Sequence, residues 1–249
     1  MVRKLYDISE HPGFSRDIPT FWMGYQYYNP PVIGARVTPE GFPANPYHKG
    51  YYETIITFYV HTGCHMDAPI HMDPKGWAID EIPLDYLVGD GVVVSIPKGE
   101  YGEITAEDLE KARPQIRKGD ILVINTGWHK EYAGPITNYK KALRFASKWP
   151  GLVKSGAEWL VKRGVKNVMM DVICADAVSQ TEGPKADGKP GDGSYASHMI
   201  LLPAGIPIVE GIGRDVDKVT GKRCTIIAVP PKVVKVDAMW CRVLAMLEE

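Results

Sequence analysis

The segment HTGCHMDAPIH, His61 to His71, places three of the chain's seven histidines and one aspartate within eleven residues. Neutral imidazoles and a carboxylate together suit zinc, manganese or iron, whereas calcium and magnesium favour shells made of oxygen. His61, His65 and Asp67 would give one ion three protein ligands and leave a position open for water, the mark of a catalytic zinc site as opposed to a closed structural one. A histidine standing alone is most often a packed or surface residue. Four candidate ligands this close together are what point to a metal. Thr62 stands where the zinc-protease helix pattern HExxH carries glutamate, so that pattern is absent.

The backbone must bend for these groups to meet. In a continuous strand His61 and His65 would stand ~13 Å apart at ~3.3 Å per residue, too far for metal bonds of ~2 Å. A helix would stack them at i and i+4, but Gly63 lies inside that turn and Pro69 would break its continuation. The sequence therefore predicts a bend at Gly63 followed by a short irregular turn that carries His65 and Asp67.

The elements that must position this segment are mostly short runs rich in Val and Ile and bounded by turn residues. Strands are predicted at 51–60, 91–97, 120–127, 167–172, 206–212 and 224–231. Between them, TAEDLEKARPQI opens with Thr105 as an N-cap ahead of Glu107 and Asp108, and GLVKSGAEWLVKRG ends at Gly164 in the manner of a helix C-cap. Residues 1–50 read as an N-terminal arm of extended chain or loops, because Gly and Pro interrupt them and no helical period is present. Trp22, Tyr25, Tyr27 and Tyr28 of this arm, with Trp77, could wall a flat substrate; packing in the core or against another subunit is the plainer role. Residues 179–197, rich in Gly, Asp and Lys, lie just before His198 and read either as a lid or as a surface excursion. His11, His48 and His129 have no pattern around them, which assigns them structural or surface roles.

At 249 residues the chain fits a single domain, 1–249, and a hydrophobic share of 45% suffices for a sizeable core. The net charge is -1 and basic residues form no cluster beyond pairs such as Lys140 and Lys141, which argues against nucleic acid as a partner. No run approaches the ~18 apolar residues of a membrane span. Cys64, Cys174, Cys224 and Cys241 are scattered without a CxxC pair, which suits a reducing compartment, and the cytoplasm is the expected location.

HTGCHMDAPIH resembles the HxGTHxDxPxH signature of the cyclase-like metal-dependent hydrolases, a family that includes bacterial kynurenine formamidase, isatin hydrolase and a dienelactone hydrolase. The similarity runs along nearly the whole chain. LYDIS near the start, GDILVINTGWHKEY, MMDVICADAVS, SHMILLPAGIPIVEGI and MWCRVLAM each look like a family block, in the family's order. The resemblance implies an α/β fold of the cyclase-like swivelling β/β/α kind, with a central mixed β-sheet flanked by helices. It further implies that His61, His65 and Asp67 bind a first divalent ion, zinc or manganese. A second ion, where present, would be bridged by Asp67 and held by His198 and Glu210. His71 then matches the general acid and base, in keeping with the need for one histidine to stay off the metal if a proton is to be carried.

The implied reaction is hydrolysis of an amide, in an arylformamide or a small cyclic amide, by metal-activated water. Lactone hydrolysis, or metal-dependent binding or sensing of a small molecule without turnover, would use the same ligand set; retention of His71 favours turnover. A small-molecule substrate and a homodimer or homotetramer are the implied partners. The chain departs from the signature at Cys64, which replaces the usual Thr. With no separate His and Asn/Asp arrangement to activate a thiol, Cys64 is expected as a small packing residue lining the site. Glu210 is open between a ligand role and a salt bridge near Arg214, and the segment before His198 looks longer than is common in the family.

Overall fold

The computed structural model describes residues 3–9, 32–37, 52–131 and 139–248. In chain order the strands within them are β1 (Arg3–Asp7), β2 (Val32–Val37), β3 (Tyr52–Thr57), β4 (His65–Asp67), β5 (Val88–Ser95), β6 (Glu103–Ile104), β7 (Ile121–Asn125), β8 (Gly151–Leu152), β9 (Asn167–Met170), β10 (Ile208–Glu210), β11 (Arg223–Ala228), β12 (Ala238–Trp240) and β13 (Val243–Glu248). The helices are α1 (Ala106–Lys111), α2 (Tyr139–Ser147), α3 (Lys154–Arg163), α4 (Ala196–Leu201) and α5 (Val216–Val219). Nine strands form one mixed sheet in the order β1-β13-β11-β5-β7-β9-β10-β4-β12, and β2-β3 and β6-β8 pair separately.

The centre of the sheet is parallel, β5 to β7 to β9 to β10, with helical crossovers between consecutive strands. Parallel strands covered on both faces read as unbroken apolar runs, which is what ILVIN in β7 and NVMM in β9 are, every residue buried. Alternation divides their side chains between two cores. Leu122, Ile124, Val168, Met170 and Ile208 pack with Leu109 of α1 and Ala157 and Leu160 of α3, while Ile121, Val123, Met169 and Val209 pack on the opposite face with Met66, Ile226 and Ala245.

The caps form as predicted. The Thr105 hydroxyl accepts from the Asp108 N–H, and Asp108 accepts in return from the Thr105 N–H. Gly164 ends α3 in the left-handed conformation, φ 73°.

Two expectations change. Residues 1–50 are not all arm: β1 is the edge strand paired antiparallel with β13, and β2 pairs with β3. Their partners lie far along the chain or across a Pro-rich stretch, so no local pattern announced them; Trp22 and its neighbouring tyrosines lie outside the described residues. After Gly63, the chain enters the strand β4 instead of an irregular turn, because β10 and β12 flank it with backbone partners on both sides. Residues 179–195, within the segment read as a lid or a surface excursion, are held to one another by backbone hydrogen bonds from Gly191 to Gly183, Asp192 to Ser179 and Tyr195 to Gln180, with Thr181 buried.

Candidate metal centre

The bend at Gly63 has φ +69°, and Gly211 at φ +73° packs against it so closely that a Cβ there would meet the Gly63 carbonyl oxygen at 2.7 Å. This contact of two glycines turns the chain between His61 and His65, whose ring centroids are 5.3 Å apart. In β4 the pleat then sends His65 and Asp67 to one face and Met66 into the apolar core on the other. Register brings Glu210 directly opposite His65. His198 arrives from α4, and its Nε2 lies 3.4 Å from both Asp67 Oδ2 and Glu210 Oε1.

Each imidazole is held from behind by an acceptor, an arrangement typical of metal-binding histidines. His65 uses Nδ1 to bond the Gly63 carbonyl (2.9 Å), which turns Nε2 towards Asp67 and Glu210. The His198 Nδ1 bonds the Asp176 carboxylate, leaving Nε2 inward. His61 bonds Asp237 Oδ2 through Nε2 (2.8 Å) and presents Nδ1 to Asp67 Oδ1 at 2.7 Å. His71 bonds the same Asp237 oxygen through Nδ1 at 3.2 Å.

The inward atoms fit a cation. His65 Nε2 and both Asp67 oxygens are fully buried and have no hydrogen-bond partner, even though His61 Nδ1 and His198 Nε2 approach those oxygens, because neither ring meets hydrogen-bonding geometry. Leaving such groups unmatched costs ~1–3 kcal/mol each, and an ion coordinated by all three would match them. His61, His65 and Asp67 have ligand atoms close enough to share one ion, as do Cys174, His198 and Glu210.

The electrostatics agree with that reading. Burial alone would lower the His61 pKa, but the hydrogen bond to Asp237 and the charge of nearby Asp67 raise it to about 10. Burial is likewise overcome at His65 by Asp67, and at His198 by Asp176 and Asp67, and both are raised. Burial pushes Glu210 up, and the Asp67 charge pushes it further. Asp237 is driven well below the usual carboxylate range by its bonds to His61 and His71. Buried carboxylates thus draw positive charge to the cluster. Burial together with Glu210 and Asp176 raises the Cys174 thiol well above its ordinary value.

A cavity of about 220 Å³ opens on the cluster, lined by Tyr59, His61, Asp67, His71, Met72, Ile173, Cys174, Tyr195, His198 and Glu210. Two residues expected at its wall stand elsewhere. Cys64 precedes His65 and so points to the opposite face of the sheet, where it packs with Met66 and lines a different hollow beside Trp240 and Cys241. Trp77 packs edge-on against Tyr86, ring centroids 5.4 Å apart, within the same apolar core. Glu210 lies with His65 and His198, while Arg214 reaches Asp7 at 3.4 Å. His129 bonds Asp171 at 2.8 Å and is not among the residues lining the cavity. Sequence reasoning missed Asp237, Asp176, Tyr59 and Tyr195; Asp237 sits two residues before the MWCRVLAM block and Asp176 inside MMDVICADAVS, and neither has a metal-ligand spacing to mark it.

The family model described as "Putative cyclase" matches residues 7–177. The kynurenine formamidase of Salinibacter ruber is 30% identical over 182 residues, 72% of this chain and 72% of that protein. The kynurenine formamidase of Delftia acidovorans is 27% identical over 241 residues, 96% of this chain and 95% of that protein. Isatin hydrolase A from Labrenzia aggregata has the same fold, with a TM-score of 0.75 at 20% identity over 99% of this chain and 94% of that one. With the family model spanning more than half of the sequence, including the whole of His61 to His71, this chain belongs to the cyclase family.

Proposed function

We propose that the protein is a metal-dependent hydrolase that cleaves a non-peptide C–N amide bond, in an arylformamide or a small cyclic amide. The observation that carries this reading is the division of labour among the histidines: His61, His65 and His198 turn a nitrogen to Asp67, whereas His71 faces the same cavity and, among the described residues, bonds Asp237. The amide class is supported by the relatives named kynurenine formamidase.

His61, His65 and Asp67 would hold a first ion, zinc or manganese, and Asp67, His198 and Glu210 a second. When bound, such an ion supplies Lewis acidity and a water of lowered pKa. His71, bonded to Asp237 through Nδ1, keeps Nε2 for proton exchange. It takes a proton from the attacking water and gives it to the leaving nitrogen, which departs as an amine. Asp237 fixes the ring and stabilises its charged form while the proton is carried. Tyr59, Met72, Ile173 and Tyr195 give the cavity apolar and aromatic walls suited to a compact, flat substrate.

The reading takes residues 1–249 as one domain working in the cytoplasm as a homodimer or homotetramer. Support for the compartment comes from four cysteines, three of them buried, with no disulfide among the described residues; no helix among the described residues is long and apolar enough to cross a membrane. The test is proton release in a pH-stat, using metal-stripped protein reloaded with zinc or manganese against arylformamides, isatin-like lactams and lactones. Metal-dependent release on an amide supports the proposal; release on lactones alone would replace it with the ester chemistry. Light scattering on the same samples decides the oligomeric state.

A further inference from the structure

Cys174, Ala175 and Asp176 follow one another in the loop after β9, and all three serve the same cluster. The Ala175 N–H donates to Glu210 Oε1 at 2.6 Å, and Asp176 bonds the His198 ring. The Cys174 Sγ lies within 4.8 Å of ligand atoms of His198 and Glu210, which lie equally close to each other, and all three side chains are buried. Asp67 Oδ2, buried and without a hydrogen-bond partner, lies 3.4 Å from His198 Nε2. One sulfur, one nitrogen and one carboxylate, from Cys174, His198 and Glu210, therefore converge.

We propose that Cys174 is a ligand of the second ion, joining His198 and Glu210 so that the ion meets one sulfur, one nitrogen and one oxygen donor from these three side chains. The inference rests on the metal-hydrolase reading and deepens it. The two ion positions are therefore unlike: the first, on His61, His65 and Asp67, has only nitrogen and oxygen donors, and the second adds a thiolate. A thiolate is a soft ligand, so manganese and magnesium are poor occupants of the second position while the first accepts manganese. Binding exchanges the thiol proton for the cation; the proton leaves to solvent and no oxidant is involved.

The test is titration of the metal-stripped full chain with cobalt(II), read at the visible ligand-field bands, which report any bound cobalt, and at the near-ultraviolet sulfur-to-cobalt charge-transfer band, which reports a thiolate ligand. The expected result is a charge-transfer band in the wild type that is lost in Cys174→Ser, with Cys64, Cys224 and Cys241 unchanged. Zinc competition should show the second equivalent weakened in that variant by at least the ~10–100-fold that loss of an outer-shell partner costs. X-ray absorption on the zinc-loaded wild type needs no variant; it should show a sulfur shell at ~2.3 Å beside lighter atoms at ~2.0–2.1 Å. Ligand-field bands without charge transfer, a charge-transfer band that persists in Cys174→Ser, or a zinc shell of light atoms only overturns the Cys174 assignment and leaves the hydrolase reading standing. Failure to bind cobalt or zinc at all overturns both.

Discussion

Asp237 holds His71: its Oδ2 stands 3.2 Å from the His71 Nδ1, and the same oxygen lies 2.8 Å from the His61 Nε2. One carboxylate, donated from the residue before β12, thus orients both a proposed metal ligand and the proposed proton carrier. Asp237→Ala should weaken zinc binding by ~10–100-fold and, with zinc saturating, should still lower kcat by ~10²-fold through the misplaced imidazole. Zinc competition and kcat at saturating zinc measure the two effects separately. A kcat fully restored by excess zinc would assign Asp237 to metal binding alone.

His71→Ala and Asp67→Ala separate proton transfer from coordination. The first should keep its zinc and lose ~10²–10⁴ in kcat. The second removes the carboxylate that both proposed ion positions share, and bound zinc measured by atomic absorption should fall for both. Retention of metal-dependent turnover near wild type in His71→Ala would contradict the mechanism.

Zinc should stabilise the wild type through binding to the native state. At free zinc ~100 times its Kd the gain is about 2.7 kcal/mol for one site, seen as a rise in the urea midpoint that a chelator reverses. Asp67→Ala should show almost none of it.

Gly211→Ala places a Cβ 2.7 Å from the Gly63 carbonyl oxygen and 2.9 Å from its carbon, in a residue at φ +73°. The left-handed conformation alone costs a non-glycine residue ~1–2 kcal/mol, and the backbone of the bend must also shift. A lower Tm together with weaker zinc binding is expected, since the bend and Glu210 move together. A Tm drop with unaltered zinc affinity would show that the bend does not position the ligands.

His129 tests pH dependence away from the metal cluster. Burial would lower its pKa, but the bond to Asp171 outweighs burial and raises it. A raised folded value means the pair's stabilisation is complete below the unfolded histidine pKa of ~6.5 and fades as pH climbs through the folded value. The stability difference between wild type and His129→Gln, from urea midpoints, should therefore be largest in mild acid and shrink towards alkaline pH. A difference independent of pH would mean that His129 acts through packing alone.

The sequence by itself determined the donor types and the strands of the sheet's parallel centre. Dense donors between His61 and His71, β-branched runs, the Thr105 cap and the Gly164 stop are local signals, because coordination chemistry, strand preference and capping act over a few residues. What lay outside its reach was anything set by register. Cys64 and Cys174 are both lone thiols in the sequence, yet the alternation of β4 turns Cys64 away from the ligands while the loop after β9 brings Cys174 beside His198 and Glu210. Asp237 and His71 are separated by 166 positions, and only the antiparallel pairing of β12 with β4 carries that carboxylate to the ring. The physical reason is that a strand fixes the face of each side chain only once its neighbour in the sheet is chosen, and that choice is made by contacts across the whole chain.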